Sequence, residues 1–278
     1  MILQCIFLLL ALVNTSNGLF WSFNQFAYCP RTPSFCSYHG ASYFFMDCNA
    51  DGIKDNVCLD NWGRFSMIIR FTSFECMKKD FSSCNLGNNK MSCKRPSYWC
   101  THNSATFLFQ DCDGDGIPDP VCSDKWGSMG IISSSNGCKN TWPQAKCKTA
   151  KGNACKRPSG FCSYWGVTYD LFDCDGDGIP DPICTDHQGV LSIISSKNGC
   201  KPIRTPNGKC QTKKGLACPR PKNFCNQASS SKFMYLDCDG DGIPDPVCSM
   251  ARSPKPWDCV KSSDNCKIVH LHRSHRFV

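Results

Sequence analysis

The sequence predicts an all-β protein made of four tandem, small, disulfide-rich repeats, set out as separate beads or as a four-unit propeller-like ring. Three observations predict it. Cysteine supplies 25 of 278 residues, the density of a disulfide scaffold. One acidic phrase returns four times: DCNADGIKDNVC at 47–58, DCDGDGIPDPVC at 111–122, DCDGDGIPDPIC at 173–184 and DCDGDGIPDPVC at 237–248. Short runs rich in aromatic and β-branched residues lead into it, and no helical periodicity accompanies them.

The first element is a leader. Residues 1–18 carry no charge, and Ile6 to Val13 is an apolar run of eight. That is too short to span a bilayer and suits the core of a secretion signal. Ser16 and Gly18 are small residues at positions −3 and −1 of a cut before Leu19. Cleavage there removes Cys5 and leaves 24 cysteines, six for each repeat, the even number an oxidised protein needs. No later stretch approaches transmembrane length, so the expected product is secreted and extracellular.

The repeats follow. Their six-cysteine units run 29–84, 93–147, 155–210 and 218–266, and the first cysteines stand 64, 62 and 63 residues apart. This divides the chain into repeat 1 (19–92), repeat 2 (93–154), repeat 3 (155–217), repeat 4 (218–266) and a basic, histidine-rich tail (267–278). Each unit opens with a proline turn, as in CKRPSYWC (93–100). A strand such as ATFLFQD (105–111) or VTYDLFD (167–173) then enters the acidic loop. After the loop, DKWGSMGIISSSNGC (124–138) reads as turn, short strand and Asn-Gly turn. The unit is therefore strand, acidic loop, strand, turn, strand. The last unit lacks the DxxG…IISSxNG phrase, as terminal repeats are commonly atypical. About sixty residues form a marginal core alone, which three disulfides of ~2–4 kcal/mol each would support.

The acidic loop is the candidate metal site. In its second copy Asp111, Asp113, Asp115 and Asp119 fall at positions 1, 3, 5 and 9. Gly114 and Gly116 permit the backbone to fold carboxylates inward, and Ile117 can offer its carbonyl while its side chain anchors the loop. Hard oxygens at this density suit Ca²⁺. The third copy has Asp173, Asp175, Asp177, Ile179 and Asp181; the fourth has Asp237, Asp239, Asp241, Ile243 and Asp245. In the first copy Asn49 joins Asp47, Asp51 and Asp55, and Lys54 replaces proline. One carboxylate fewer and a cation close by rank that site weakest.

Position 12 is cysteine, and Pro118 and Pro120 oppose a following helix, so the loop departs from the EF-hand. Through Asp111, Asp113, Asp115, Gly116 and Asp119 it resembles the thrombospondin type 3 repeat. LFQDCDGDGIPDPVCSDKWGSMGII also resembles the strand–loop–strand of an FG-GAP (integrin-like) propeller blade. Both resemblances imply calcium.

Other residues are read structurally. Asp60, Asp124 and Asp186 either add a ligand or cap the next turn, and the cap is preferred. A Cys112–Cys122 bridge would clasp the loop, but six cysteines allow fifteen pairings. Trp62 and Trp126 are expected in the core, with a glycan-binding surface as the alternative. Histidines such as His39 and His102 do not recur, which argues against an enzyme. The tail is expected to fray. The formal charge of +8 implies a basic surface of Lys94, Arg95, Lys156, Arg157, Lys213, Lys214 and the tail. Its partners would be acidic or sulfated glycans, matrix polymers or mineral rather than nucleic acid. The functional expectation is a secreted structural or adhesive matrix protein. A calcium-dependent lectin and a cystine-rich toxin or inhibitor are the alternatives.

Overall fold

A computed structural model describes residues 29–277 apart from 30, 33–34, 39, 52–53, 71–74, 82–83, 85, 87–89, 103–104, 144–145, 206–208, 227–230, 251–256 and 272–275. The expected leader, with Cys5, and His39 lie outside these residues. The described chain is all-β, and its only helical elements are three short 3-10 turns.

Four small antiparallel sheets form a ring resembling a four-blade propeller. Blade 1 holds β1 (Ser42–Met46), β2 (Asp55–Leu59), β3 (Phe65–Arg70) and β4 (Glu75–Phe81). Blade 2 holds β5 (Thr106–Gln110), β6 (Asp119–Ser123), β7 (Met129–Ser133) and β8 (Lys139–Asn140), followed by a linker hairpin of β9 (Lys148–Thr149) and β10 (Gly152–Asn153). Blade 3 holds β11 (Thr168–Phe172), β12 (Asp181–Thr185), β13 (Leu191–Ile194) and β14 (Pro202–Thr205). Blade 4 holds β15 (Ser231–Leu236), β16 (Asp245–Met250), β17 (Trp257–Lys261) and β18 (Lys267–Leu271). The strands expected from ATFLFQD and VTYDLFD are β5 and β11. The fourth strand of each blade was not expected: β8 is only Lys139–Asn140 and exposed, and carries no hydrophobic alternation.

Proline explains a detail of register. Pro120, Pro182 and Pro246 lack an N–H, and in those blades the second strand pairs with the third only from Val121, Ile183 and Val247 onward. Blade 1 has Asn56 there, and its ladder extends one residue further, to Asn56↔Ile68.

First strands face the ring centre, where β1, β5, β11 and β15 line a cavity of about 730 Å³. The ring closes between the last and first blades through Phe45 against Trp257 (4.4 Å between ring centroids) and Ser249 Oγ to Tyr43 Oη (3.4 Å). The expected fraying of the tail is corrected at its end: β19 (Arg276–Phe277) adds in parallel to β4 of blade 1. Separate beads are thereby excluded.

Arginines of the CxRP openings sit in the seams, which corrects the expected basic surface. Arg95 and Arg157 are only 3% exposed. Arg157 Nε donates to Phe161 O (2.9 Å), Nη2 to Cys162 O (3.0 Å), and the guanidinium lies 4.4 Å from the Tyr169 ring centroid. Arg31, Arg95 and Arg220 repeat the arrangement over Tyr43, Phe107 and Phe233. Carbonyls and a ring face replace water around most of each cation, while Arg95 Nη1 and Arg220 Nη1 are buried without a hydrogen-bond partner. Lys94, Lys156, Lys213 and Lys214 are exposed as expected.

All 24 cysteines from Cys29 onward are paired. Blades 1 to 3 use first–fifth, second–fourth and third–sixth bridges, as in Cys93–Cys138, Cys100–Cys122 and Cys112–Cys147. A Cys112–Cys122 clasp is therefore absent: Cys112 ties its loop to the linker instead. Blade 4 differs, with Cys218–Cys266, Cys225–Cys248 and Cys238–Cys259. Cys259 stands where Ile131 and Ile193 stand in blades 2 and 3, opposite Val247 as they are opposite Val121 and Ile183. Loop 4 thus takes its bridge from a core position of β17, and residues 267–278 hold no cysteine.

Candidate metal centre

Each acidic loop joins the first and second strands of a blade, and the turn between the third and fourth strands returns to the same end of the sheet. Antiparallel pairing therefore brings that turn over the loop. The loop is shaped by its own carboxylates. In loop 2, Asp111 accepts from the Gly114 and Gly116 N–H groups (2.7 and 3.0 Å), Asp113 from Asp115 N–H (3.1 Å), and Asp115 from Ile117 N–H (2.7 Å). Gly114 and Gly116 both have φ near +80°, which a side chain would oppose. Loop 3 repeats every contact through Asp173, Asp175 and Asp177, and loop 4 through Asp237, Asp239 and Asp241.

Position 9 begins the second strand and lies under the loop. Asp119 Oδ2 accepts from Cys112 N–H (3.0 Å), and Asp181 Oδ2 does the same from Cys174 (3.0 Å). Their other oxygens, Asp119 Oδ1 and Asp181 Oδ1, are buried and accept no hydrogen bond. In loop 4 the corresponding Asp245 Oδ1 accepts from Ser262 N–H (2.8 Å). Burial, with neighbouring carboxylates adding to it, pushes Asp55, Asp119, Asp181 and Asp245 up to about 7. A cluster of this kind is costly unless a cation or protons discharge it.

Three of the four loops bring ligand-type oxygens together. Asp111, Asp113 and Asp115 converge in loop 2, Asp173, Asp175 and Asp181 in loop 3, and Asp237, Asp239 and Asp245 in loop 4, with oxygens within 4.8 Å of one another. Among the described residues no such grouping forms from Asp47, Asp51 and Asp55; Asn49 Nδ2 donates to Asp51 (3.1 Å). Cys238, Asp245 and Cys259 also lie close, but those cysteines are disulfide-bonded and offer no thiolate.

Serines from the turn complete the site, and the sequence reading missed them. Ser133 and Ser135 donate to Asp113 and Ser134 to Asp115; Ser195 donates to Asp175 and Ser196 to Asp177. Blade 4 has the same device, Ser262 to Asp241 and Ser263 to Asp239, on a 3-10 turn closed by left-handed Asn265 in place of glycine. The missing IISSxNG phrase is thus replaced by KSSDN, a correction to the reading of the last repeat. Blade 1 has no equivalent: by register Ile69 and Arg70 occupy the positions of Ser133 and Ser134. The available signal was a Ser-Ser pair after three of the acidic phrases, beginning 11 residues past the closing cysteine in repeats 2 and 3 and 14 past it in repeat 4.

Loop isoleucines are anchors, but in the neighbouring blade. Ile179 packs with Val121, Met129 and Ile131 of blade 2, and Ile243 against Ile183 and Leu191 of blade 3. Lys54 likewise acts across the ring: the carboxylates that offset its desolvation are Asp237 and Asp170, not its own loop.

The DxxG turns lie at the opposite end of the sheets. Asp60, Asp124 and Asp186 each accept two backbone N–H groups there, as Asp124 does from Trp126 (2.9 Å) and Ser128 (2.8 Å). They are caps, at the end of the sheets away from the acidic loops. Trp62 and Trp126 were expected in the core and are instead 53% and 59% exposed on these turns.

No protein-family model matches the chain, and no curated protein matches it. Among solved structures, an Agrocybe aegerita lectin, described as recognising non-reducing terminal N-acetylglucosamine, is similar over 79% of this chain and 49% of its own, at 14% identity and a TM-score of 0.31. The chain spans about half the length of that lectin.

Proposed function

We propose that this chain is a secreted, calcium-loaded ring with a structural or adhesive role outside the cell. The observation that carries the metal is the pair of orphaned, buried oxygens, Asp119 Oδ1 and Asp181 Oδ1, on carboxylates that the three other acids of each loop act upon, Asp181 also grouping with Asp173 and Asp175. A hard divalent cation would discharge them. Carboxylates with serine hydroxyls bonded to them form an oxygen-only set, which favours a hard cation such as Ca²⁺. The resemblance of the loop to thrombospondin type 3 and FG-GAP loops supports the same ion. Twelve disulfides fit an oxidising compartment. No helix among the described residues is long and apolar enough to cross a membrane.

A rigid ring with repeated surface features is suited to binding and display. Calorimetric titration of the oxidised chain with calcium tests the proposal: the expected result is three sites from loops 2, 3 and 4, with loop 1 weak or silent. Absence of both heat and thermal stabilisation at millimolar calcium would overturn it.

A further inference from the structure

We propose that the end of the ring opposite the acidic loops binds an anionic polysaccharide, with Trp62 and Trp126 as stacking platforms and Arg64, Lys94, Lys125 and Lys156 as anion partners. The proposal rests on the adhesive reading above and names the polymer it would engage.

Trp62 is exposed yet held in place. Its Nε1–H donates to Tyr98 Oη (3.1 Å), and the Arg64 guanidinium lies 5.1 Å from its ring centroid. Arg64 is itself oriented by Asp60, Nε to Oδ2 at 2.6 Å, while its side chain stays 75% exposed. The indole therefore has its polar atom satisfied and an apolar surface left over, at little further cost in side-chain entropy. A groove of about 820 Å³ runs from this tryptophan along the seam to blade 2, and Met91, Lys94, Pro96 and Ser97 line it. Aromatic surface, cations and hydroxyl together match a pyranose ring bearing sulfate or carboxylate.

Blade 2 keeps the tryptophan and a cation beside it, with Ser128 in place of Arg64 and Gly160 in place of Tyr98. Trp126 stands at the same turn position, the Lys125 ammonium lies 4.9 Å from its ring, and Lys156 holds the place of Lys94. Repetition at successive blades suits a polymer better than a single small ligand. Charge favours an anion. Fifteen of the 23 acidic residues belong to the metal loops, and Asp60, Asp124 and Asp186 on this end are buried and occupied as caps. Asp80 is exposed and acts on Arg64, but Arg64, Lys94, Lys125 and Lys156 outnumber it, so the surface beside the tryptophans is cationic in balance.

The test uses the full oxidised chain at saturating calcium, with heparin, hyaluronan and neutral dextran as probes in affinity chromatography and calorimetry. Heparin or hyaluronan should bind, weaken with added salt, and weaken about tenfold with Trp62→Ala and with Arg64→Ala/Lys94→Ala. Trp62→Phe should recover most of the loss, and circular dichroism should report an unchanged fold. The calcium variant Asp181→Asn should bind the polysaccharide normally, which separates failure of the metal reading from failure of this one. No binding to either anionic probe, equal binding to dextran, or binding indifferent to both variants would overturn the proposal.

Discussion

Gly127 packs directly on the carbonyl oxygen of Arg157: a Cβ on that glycine would lie 2.4 Å from it. Gly63 meets Arg95 O (2.1 Å) and Gly189 meets Arg220 O (2.2 Å) in the same way. The glycine of each DxxG turn is thus the close-approach point between one blade and the buried arginine of the next. Backbone hydrogen bonds run alongside, from Tyr98 N–H to Asn61 O, Gly160 N–H to Lys125 O and Asn223 N–H to His187 O. The seam repeats as regularly as the blade.

Gly127→Ala should therefore destabilise strongly, by about 2–4 kcal/mol. Its φ of +87° opposes a side chain, and the obstacle is backbone that cannot rotate away. Guanidinium denaturation with disulfides intact measures the loss. Gly137→Ala is the control: it also has positive φ, but a Cβ there meets nothing within 4 Å, so only the conformational cost of about 1 kcal/mol should appear.

Arg157→Lys should fare nearly as badly as Arg157→Ala, at about 2–4 kcal/mol each. A lysine supplies one buried point charge where the fork reaches Phe161 O and Cys162 O and lies over Tyr169. If the residue were part of a solvated basic surface, both changes would fall within about 0.5 kcal/mol. Denaturant midpoints of the two variants decide between these outcomes.

This arginine shows where the sequence was legible and where it was not. The acidic phrase, its flanking strands and the cysteine count were readable because each is local and periodic. Seams were not: CKRP looks like a charged surface turn, and only the neighbouring blade's packing reveals a buried cation. The same holds for Ile179, which looks like an anchor for its own loop and lies in the core of blade 2. Disulfide pairing was illegible because Cys112 and Cys122 are close in sequence but point to opposite partners, Cys147 and Cys100. Lys139–Asn140 has too few residues for any strand pattern to emerge.

Asn49→Asp alone should leave loop 1 weak in calorimetry. It restores the carboxylate count, but Ile69 and Arg70 still stand where the serine pair closes the other loops. Ser195→Ala/Ser196→Ala in loop 3 gives the converse, a site with all its carboxylates and reduced affinity, by about threefold to thirtyfold for one or two lost hydrogen bonds. Equal affinity in that variant would show the serines to be spectators.

Asp170 gives the pH dependence. It stands on β11 at the central cavity, opposite Ile183, where the equivalent positions carry Phe44, Leu108 and Met234. Desolvation pushes its carboxyl up to about 6, against the opposing pull of the Leu171 and Tyr235 backbone and of the Lys54 charge. A folded value above the unfolded one, near 4, means that stability is greatest below about pH 4 and is lost as pH rises through about 6. Asp170→Asn removes that loss. It should gain about 1–2 kcal/mol at pH 7.5 and nothing at pH 4, in denaturation run with chelator so that the loops contribute equally to both proteins. A constant difference between variant and parent across that range would mean that Lys54 holds Asp170 ionised throughout, and that the cavity carries a salt bridge rather than a strained acid.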